Sequence, residues 1–403
     1  MKRLRLVFLL TCVVAGAQAQ KAKVQTAYNY YKEPYQQYDK AMTAIDEAIL
    51  HEQTAGMPKT WYYRGLIYQA LYKSEKYGEL CKNCLVTAYE SFDRAQQLDP
   101  NNDWADEIKA VRIPMIANNI FDVASNAYKA KDFKTALENF EMVHKILPED
   151  TAVILYTAYS AEGAEDYSKA KNYYEQLIRM KYADMSMYQN LSKIYATVDK
   201  DENKALSTIR DGRAIYPDSL NLLLAEINIL LSSGRNEEAS LALNVATEKD
   251  PNNDNLYLAL GSTYDNLANP KDSEGKELPK PKAYEDYMKK AEESYLKGLQ
   301  INPDNYIINY NLGALYFNQG AEMKNQANNL KSNDDYAKAK AKFDAKFQQA
   351  KPYLEKALEI NPKTTEADMF TYEGTLNSLK QLYARTGETE KYERIKALLE
   401  KQQ

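Results

Sequence analysis

The sequence predicts an all-α solenoid of helix–turn–helix repeats, and three observations carry that prediction. Eight alanines (Ala41, Ala88, Ala136, Ala170, Ala205, Ala239, Ala291 and Ala350) are each followed four residues later by a bulky apolar side chain and three further on by a small or apolar one. That spacing is one face of a helix. From Ala136 to Ala239 the steps are 34, 35 and 34 residues, the period of a two-helix repeat. In six of the eight a proline then falls five residues later, at Pro100, Pro148, Pro217, Pro251, Pro303 and Pro362. Proline cannot continue the helical ladder, so it marks where the second helix (helix B) of each repeat stops. Repeats of this kind touch only their neighbours, so 403 residues do not translate into a count of globular domains. With 27% charged and 44% hydrophobic residues, the chain reads as neither membrane-embedded nor disordered.

Taken in order, the first segment is expected to be an export signal, residues 1–19. Lys2, Arg3 and Arg5 form a basic start, Leu6 to Val14 an apolar stretch, and Ala17-Gln18-Ala19 a small-residue cleavage site. The apolar stretch is too short to span a bilayer, and nothing later is apolar enough to do so. The mature chain is thus expected to start near Gln20, with 49 basic against 57 acidic residues. That acidic balance argues against nucleic acid and anionic membrane as main partners. Cys12 offers lipidation as an alternative, but Leu9, Leu10 and Thr11 before it make a poor lipidation box and apolar Val13 and Val14 follow it.

The first helix of a full unit (helix A) carries Trp61, Gly65 and Tyr68, the pattern W-x2-L-G-x2-Y with Arg64 in place of the leucine. Later units repeat it as Tyr257, Leu260, Gly261, Tyr264 and as Leu312, Gly313, Tyr316. On these residues the chain resembles the tetratricopeptide-repeat (TPR) family, and the resemblance spans nearly everything after the signal. It implies a right-handed superhelix over residues 20–403, about eight units. The glycines are expected where helix A meets helix B closely, with Ala88 and its equivalents as the matching small contact.

Four insertions interrupt the period, near 77–87, 103–115, 269–286 and 320–349. In the first lies Cys81-Lys82-Asn83-Cys84. Residue 85 is leucine, so a haem attachment fails, and no second cysteine pair exists to complete a zinc site. No strand–helix unit frames it as a thioredoxin-like centre, so a local disulfide between Cys81 and Cys84 is expected. Pro114 is expected to kink the second insertion. The third, NPKDSEGKELPKPK, is loop-like by composition. The fourth is rich in helix formers with one break at Ser332-Asn333-Asp334-Asp335, and reads as an extended helical hairpin in the seventh repeat, projecting about 18 Å. A polar pair near Asp368–Thr386 and Glu388–Lys401 closes the array as a cap.

No residues assemble into a catalytic set. The two histidines, His51 and His144, lie more than two repeats apart, and no nucleophile elbow, phosphate loop or H-E-x-x-H is present. Glu237-Glu238 and Glu292-Glu293 read as solvated faces. No enzyme activity, metal or cofactor is expected. Binding is, and the family lines its concave surface mainly with helix A. Carried over by register, that surface would be Tyr62, Gln69, Phe121, Tyr128, Tyr159, Gln189, Lys193, Asn228, Asp265, Tyr310 and Phe317. The clamp by which chaperone-binding members grip a terminal carboxylate is not matched: the corresponding residues are Tyr62 with Leu66, Asp122, and Ala152 with Tyr156. The expected function is a scaffold or adaptor in the cell envelope, periplasmic or associated with the outer membrane, holding a protein or peptide. A tethered subunit of an assembly or secretion machine and a redox accessory using the cysteine pair are the alternatives.

Overall fold

A computed structural model describes residues 21–272 and 274–401. The expected signal, its expected cleavage site and Cys12 lie outside the described residues. The described residues divide into two compact bodies, one up to residue 187 and one from residue 188, and each is built of antiparallel helix pairs.

In the first body a leading pair, α1 (21–31) and α2 (Tyr38–Ile49), precedes a short α3 (Glu52–Ala55). The first full unit is α4 (Pro58–Lys73) and α5 (Cys84–Leu98). A three-residue α6 (Ala105–Glu107) and a π-helical turn (Ile108–Arg112) then lead into α7 (Ile113–Lys129), which pairs with α8 (Phe133–Ile146). Next come α9 (Thr151–Gly163) and α10 (Tyr167–Arg179). Pro114 is the second residue of α7 rather than the centre of a kinked segment. Lacking an N–H, it cannot close the bond one turn back, and the widened turn sits directly before it.

The division between the bodies falls within α11 (Met185–Thr197). The second body continues with α12 (Glu202–Ile215), α13 (Leu220–Ser232), α14 (Asn236–Lys249), α15 (Asp254–Ala268) and α16 (Tyr284–Ile301). The segment between α15 and α16 is a loop with one antiparallel bridge, Lys271 to Glu277. Two long helices follow, α17 (Tyr306–Ala327) and α18 (Asn333–Ile360), then α19 (Glu366–Thr386) and α20 (Thr389–Glu400). The turn between α17 and α18 comes earlier than Ser332–Asp335. Ser332 is itself the cap of α18, accepting from the Asp335 N–H at 3.3 Å, so Asn333, Asp334 and Asp335 are helical.

The physical reason for the repeat is visible in the core. All eight signature alanines are fully enclosed, as are Ile45, Phe92, Phe140, Tyr174, Ile209, Leu243 and Leu354, each one turn later. The six prolines each stand two residues past the end of their helix B. One detail of the sequence reading is corrected. The helix A glycine faces the bulky side chain after the alanine, not the alanine. A Cβ on Gly65 would lie 2.5 Å from the Phe92 ring, one on Gly261 2.5 Å from Tyr295, and one on Gly313 2.7 Å from Leu354. The glycine is the hole into which the large residue fits.

Candidate partner-binding surface

In the first body the predicted surface residues split into an enclosed set and an open set. Tyr62, on α4, is 5% exposed and lies flat against Trp104, ring centroids 4.7 Å apart. Its hydroxyl donates to Glu107 Oε2 at 2.7 Å, and Arg112 Nε donates to Glu107 Oε1 at 2.8 Å. Gln69 is also buried, its Oε1 accepting from Arg112 Nη1 at 3.2 Å. The 103–112 insertion thus covers this face of α4, and Tyr62 and Gln69 are packing residues there, not an open groove. Burial, together with the bond to Glu107, pushes the Tyr62 phenol well above its ordinary value.

Phe121, Tyr128 and Tyr159 remain half-buried on α7 and α9. Phe121 and Tyr128 meet around a residue absent from the groove set, Tyr156, which is 39% exposed. Tyr156 stacks on Phe140 at 5.6 Å, and Phe121 and Tyr128 both approach it edge-on at 6.0 Å. Tyr159 Oη lies 3.3 Å from Ser186 Oγ. Edge-to-face packing fixes the rings while leaving their outer edges to solvent. Tyr182, on the turn after α10, and Met185, the first residue of the next helix, are exposed as well. Tyr156 sits one turn before Ser160 on α9; the sequence reading met it only as a mismatch to the carboxylate clamp.

In the second body the predicted residues do not form one continuous surface. Lys193 and Asn228 are exposed and Gln189 is half-buried. Phe317 is enclosed, packed edge-on against Phe347 at 5.4 Å with the Arg385 guanidinium over its ring. Tyr310 is partly covered by α19: its hydroxyl lies 2.5 Å from where a Cβ on Gly374 would stand, and burial raises its phenol. Asp265 borders a pocket of about 480 Å³ beneath the 269–280 loop. Missed by the sequence reading, Tyr284, Gln319 and Glu322 line that pocket too.

The charged pairs are less idle than expected. Glu237 and Glu293 face solvent, but Glu238 accepts from Arg210 at 2.9 Å and Arg235 at 2.6 Å, and Glu292 accepts from Tyr316 at 2.8 Å. Glu226, 3% exposed, is held by Arg210 and Arg213. These contacts join neighbouring helices.

Cys81 and Cys84 stand as free thiols in this structure. Cys84 opens α5 with its side chain turned into the core, and its thiol donates to the Cys81 carbonyl at 3.0 Å. Burial pushes the Cys84 thiol up to about 12, the opposite of the lowered value a reactive thiol needs. Among the described residues no group of three or more His, Cys, Asp or Glu is arranged to hold a metal, and no helix is long and apolar enough to cross a membrane.

Stacked helix pairs with a glycine hole and an alanine seam define a helical-hairpin repeat protein. Two repeat models give that class a name: one described as TPR repeat matches residues 288–320, and one described as tetratricopeptide repeat matches residues 341–364. The chain is a tetratricopeptide-repeat protein. No protein of curated function is significantly similar to it in sequence. Among solved structures, the C-terminal part of a TPR repeat-containing protein from Cytophaga hutchinsonii is 14% identical. It aligns over 69% of this chain and 93% of its own, with a TM-score of 0.50. YrrB, described as a TPR protein with an unusual peptide-binding site, is 16% identical over 51% of this chain and 96% of its own, TM-score 0.37. A TPR repeats protein from Bacteroides fragilis is 21% identical over 64% and 97%, TM-score 0.30. These similarities concern the fold.

Proposed function

We propose that the protein is a non-catalytic scaffold of the cell envelope that holds a protein partner on the aromatic row of α7 and α9. The observation that carries this reading is the half-open cluster of Phe121, Tyr128, Tyr156 and Tyr159 on helices A. Aromatic rings held by packing bury much area at low entropic cost, which is what recurrent anchor residues do. Export is supported by the basic, apolar and small-residue succession of residues 1–19. The protonated, enclosed Cys84 thiol weighs against a redox role.

The test is site-specific photo-crosslinking in the native cells. A photoreactive phenylalanine at position 156 is expected to give one discrete adduct, weakened in a Tyr128→Ala/Tyr159→Ala background. The same probe at Leu241, an exposed residue on α14, should give none. Identical adducts at both positions, or none at position 156, would overturn the reading. Mass spectrometry of the captured protein should find its first residue near Gln20.

A further inference from the structure

The pocket under the 269–280 loop is built from four elements. Asp265 comes from α15, Asn269, Glu277 and Lys280 from the loop, Tyr284 and Met288 from α16, and Gln319 and Glu322 from α17. Its cavity of about 480 Å³ exceeds a single water site many times over.

The one buried side-chain nitrogen or oxygen in its lining that lacks a hydrogen-bond partner among the described residues is an acceptor, Gln319 Oε1. Asp265 Oδ1 accepts from Asn269 Nδ2 at 2.7 Å, and Glu322 Oε2 accepts from Tyr284 at 3.0 Å. Among the described residues no hydrogen bond reaches the other oxygen of either carboxylate. Three carboxylates (Asp265, Glu277, Glu322) line the wall against two ammonium groups, Lys271 and Lys280. The pocket is therefore one positive charge short of balance. It already holds an ammonium: Lys280 Nζ donates to Asn269 Oδ1 and stands 4.9 Å from the Tyr284 ring centroid. Burial raises the Asp265 carboxyl, which the Asn269 bond and the two lysines only partly offset, so this charge lacks compensation.

We infer that the pocket receives one cationic side chain, arginine ahead of lysine, from an extended segment of a protein partner. This rests on the protein-binding reading and adds the chemistry of one contact. A guanidinium is all donors, five in a planar fork, and suits three acceptors on two helices better than the compact ammonium does.

The experiment uses the full mature chain labelled with 13C at its methionine methyls, the Met288 signal being identified by Met288→Leu. N-acetyl-arginine amide is expected to shift Met288 saturably, and the neutral isostere N-acetyl-citrulline amide is not. Asp265→Asn and Glu322→Gln should each weaken binding about tenfold, the effect of losing one charge-assisted contact. Lys280→Met, which removes a competing cation, should strengthen it. That variant and the citrulline arm decide the matter even if a carboxylate variant fails to fold. Equal shifts with arginine and citrulline, or weaker binding in Lys280→Met, would overturn the inference. Spermidine binding more tightly than the arginine probe would assign the pocket to a free polyamine and overturn it too. A crosslink at position 156 that persists while the arginine probe fails to bind would sink this inference and leave the scaffold reading standing.

Discussion

The α4–α5 unit and the α7–α10 pairs share one architecture, and tyrosines on their A helices have opposite fates. Tyr62 is 5% exposed under Trp104 and Glu107, whereas Tyr156 keeps 39% of its surface open. The repeat fixes which helix face a residue occupies. An insertion outside the repeat decides whether that face is core or surface. The first unit spends its aromatic face on packing, and the next two keep theirs available.

The largest effect that separates the two regions is on local stability. Tyr62→Ala removes an enclosed ring from between Trp104 and Phe92 and takes from Glu107 Oε2 its donor, leaving the Arg112 bonds to Oε1, so a loss of about 3–4 kcal/mol is expected. Unfolding of a repeat array need not be all-or-none, so the measurement is hydrogen exchange of the α4 and α5 peptides. If those peptides keep their protection while the whole chain stays folded, the insertion is not a packed lid and the contrast fails.

A smaller effect sharpens the other side. Tyr156→Ala gives up a partly exposed ring stacked on Phe140, so about 1 kcal/mol is expected in the α8 and α9 peptides. Its consequence for partner capture should be larger than its consequence for stability. A loss as great as that for Tyr62→Ala would show that Tyr156 is core, and the open row would shrink to Phe121, Tyr128 and Tyr159.

The fold was legible because its signal is local and repeated. Ala88 and Phe92 announce a helix B by spacing alone, and Gly65 announces a close crossing. The surface was less legible because exposure depends on what lies above a face. Nothing in the register of Tyr62 or Phe317 shows that Trp104 or Arg385 covers them. The pocket around Asp265 was legible by one residue only, since Gln319 and Glu322 reach it from a helix about 50 residues further along. The cysteine pair shows the same limit. Its spacing permits a disulfide, but the start of α5 turns Cys84 inward.

The smallest expected effect is one of pH, and it separates the two regions by window. Burial alone would raise the Glu107 carboxyl, but the bonds from Tyr62 and Arg112 outweigh it and hold the group below its ordinary value of 4.5. Its stabilising contribution is therefore whole above 4.5 and lost as pH falls through the lowered value. His144, on α8, is shifted by burial below its ordinary 6.5, with Glu141 pulling the other way, and it meets the Tyr173 ring edge-on at 5.4 Å. As a base kept neutral in the fold, it contributes fully above 6.5 and loses that contribution as pH falls below 6.5. Exchange corrected for intrinsic rates should show α8 and α10 loosening first on acidification, while α4 holds until the carboxylate range. His144→Gln should abolish the earlier step alone, and Glu107→Gln should weaken α4 already at neutral pH. A single common midpoint for both regions, unchanged by His144→Gln, would mean that lid and open row respond as one unit.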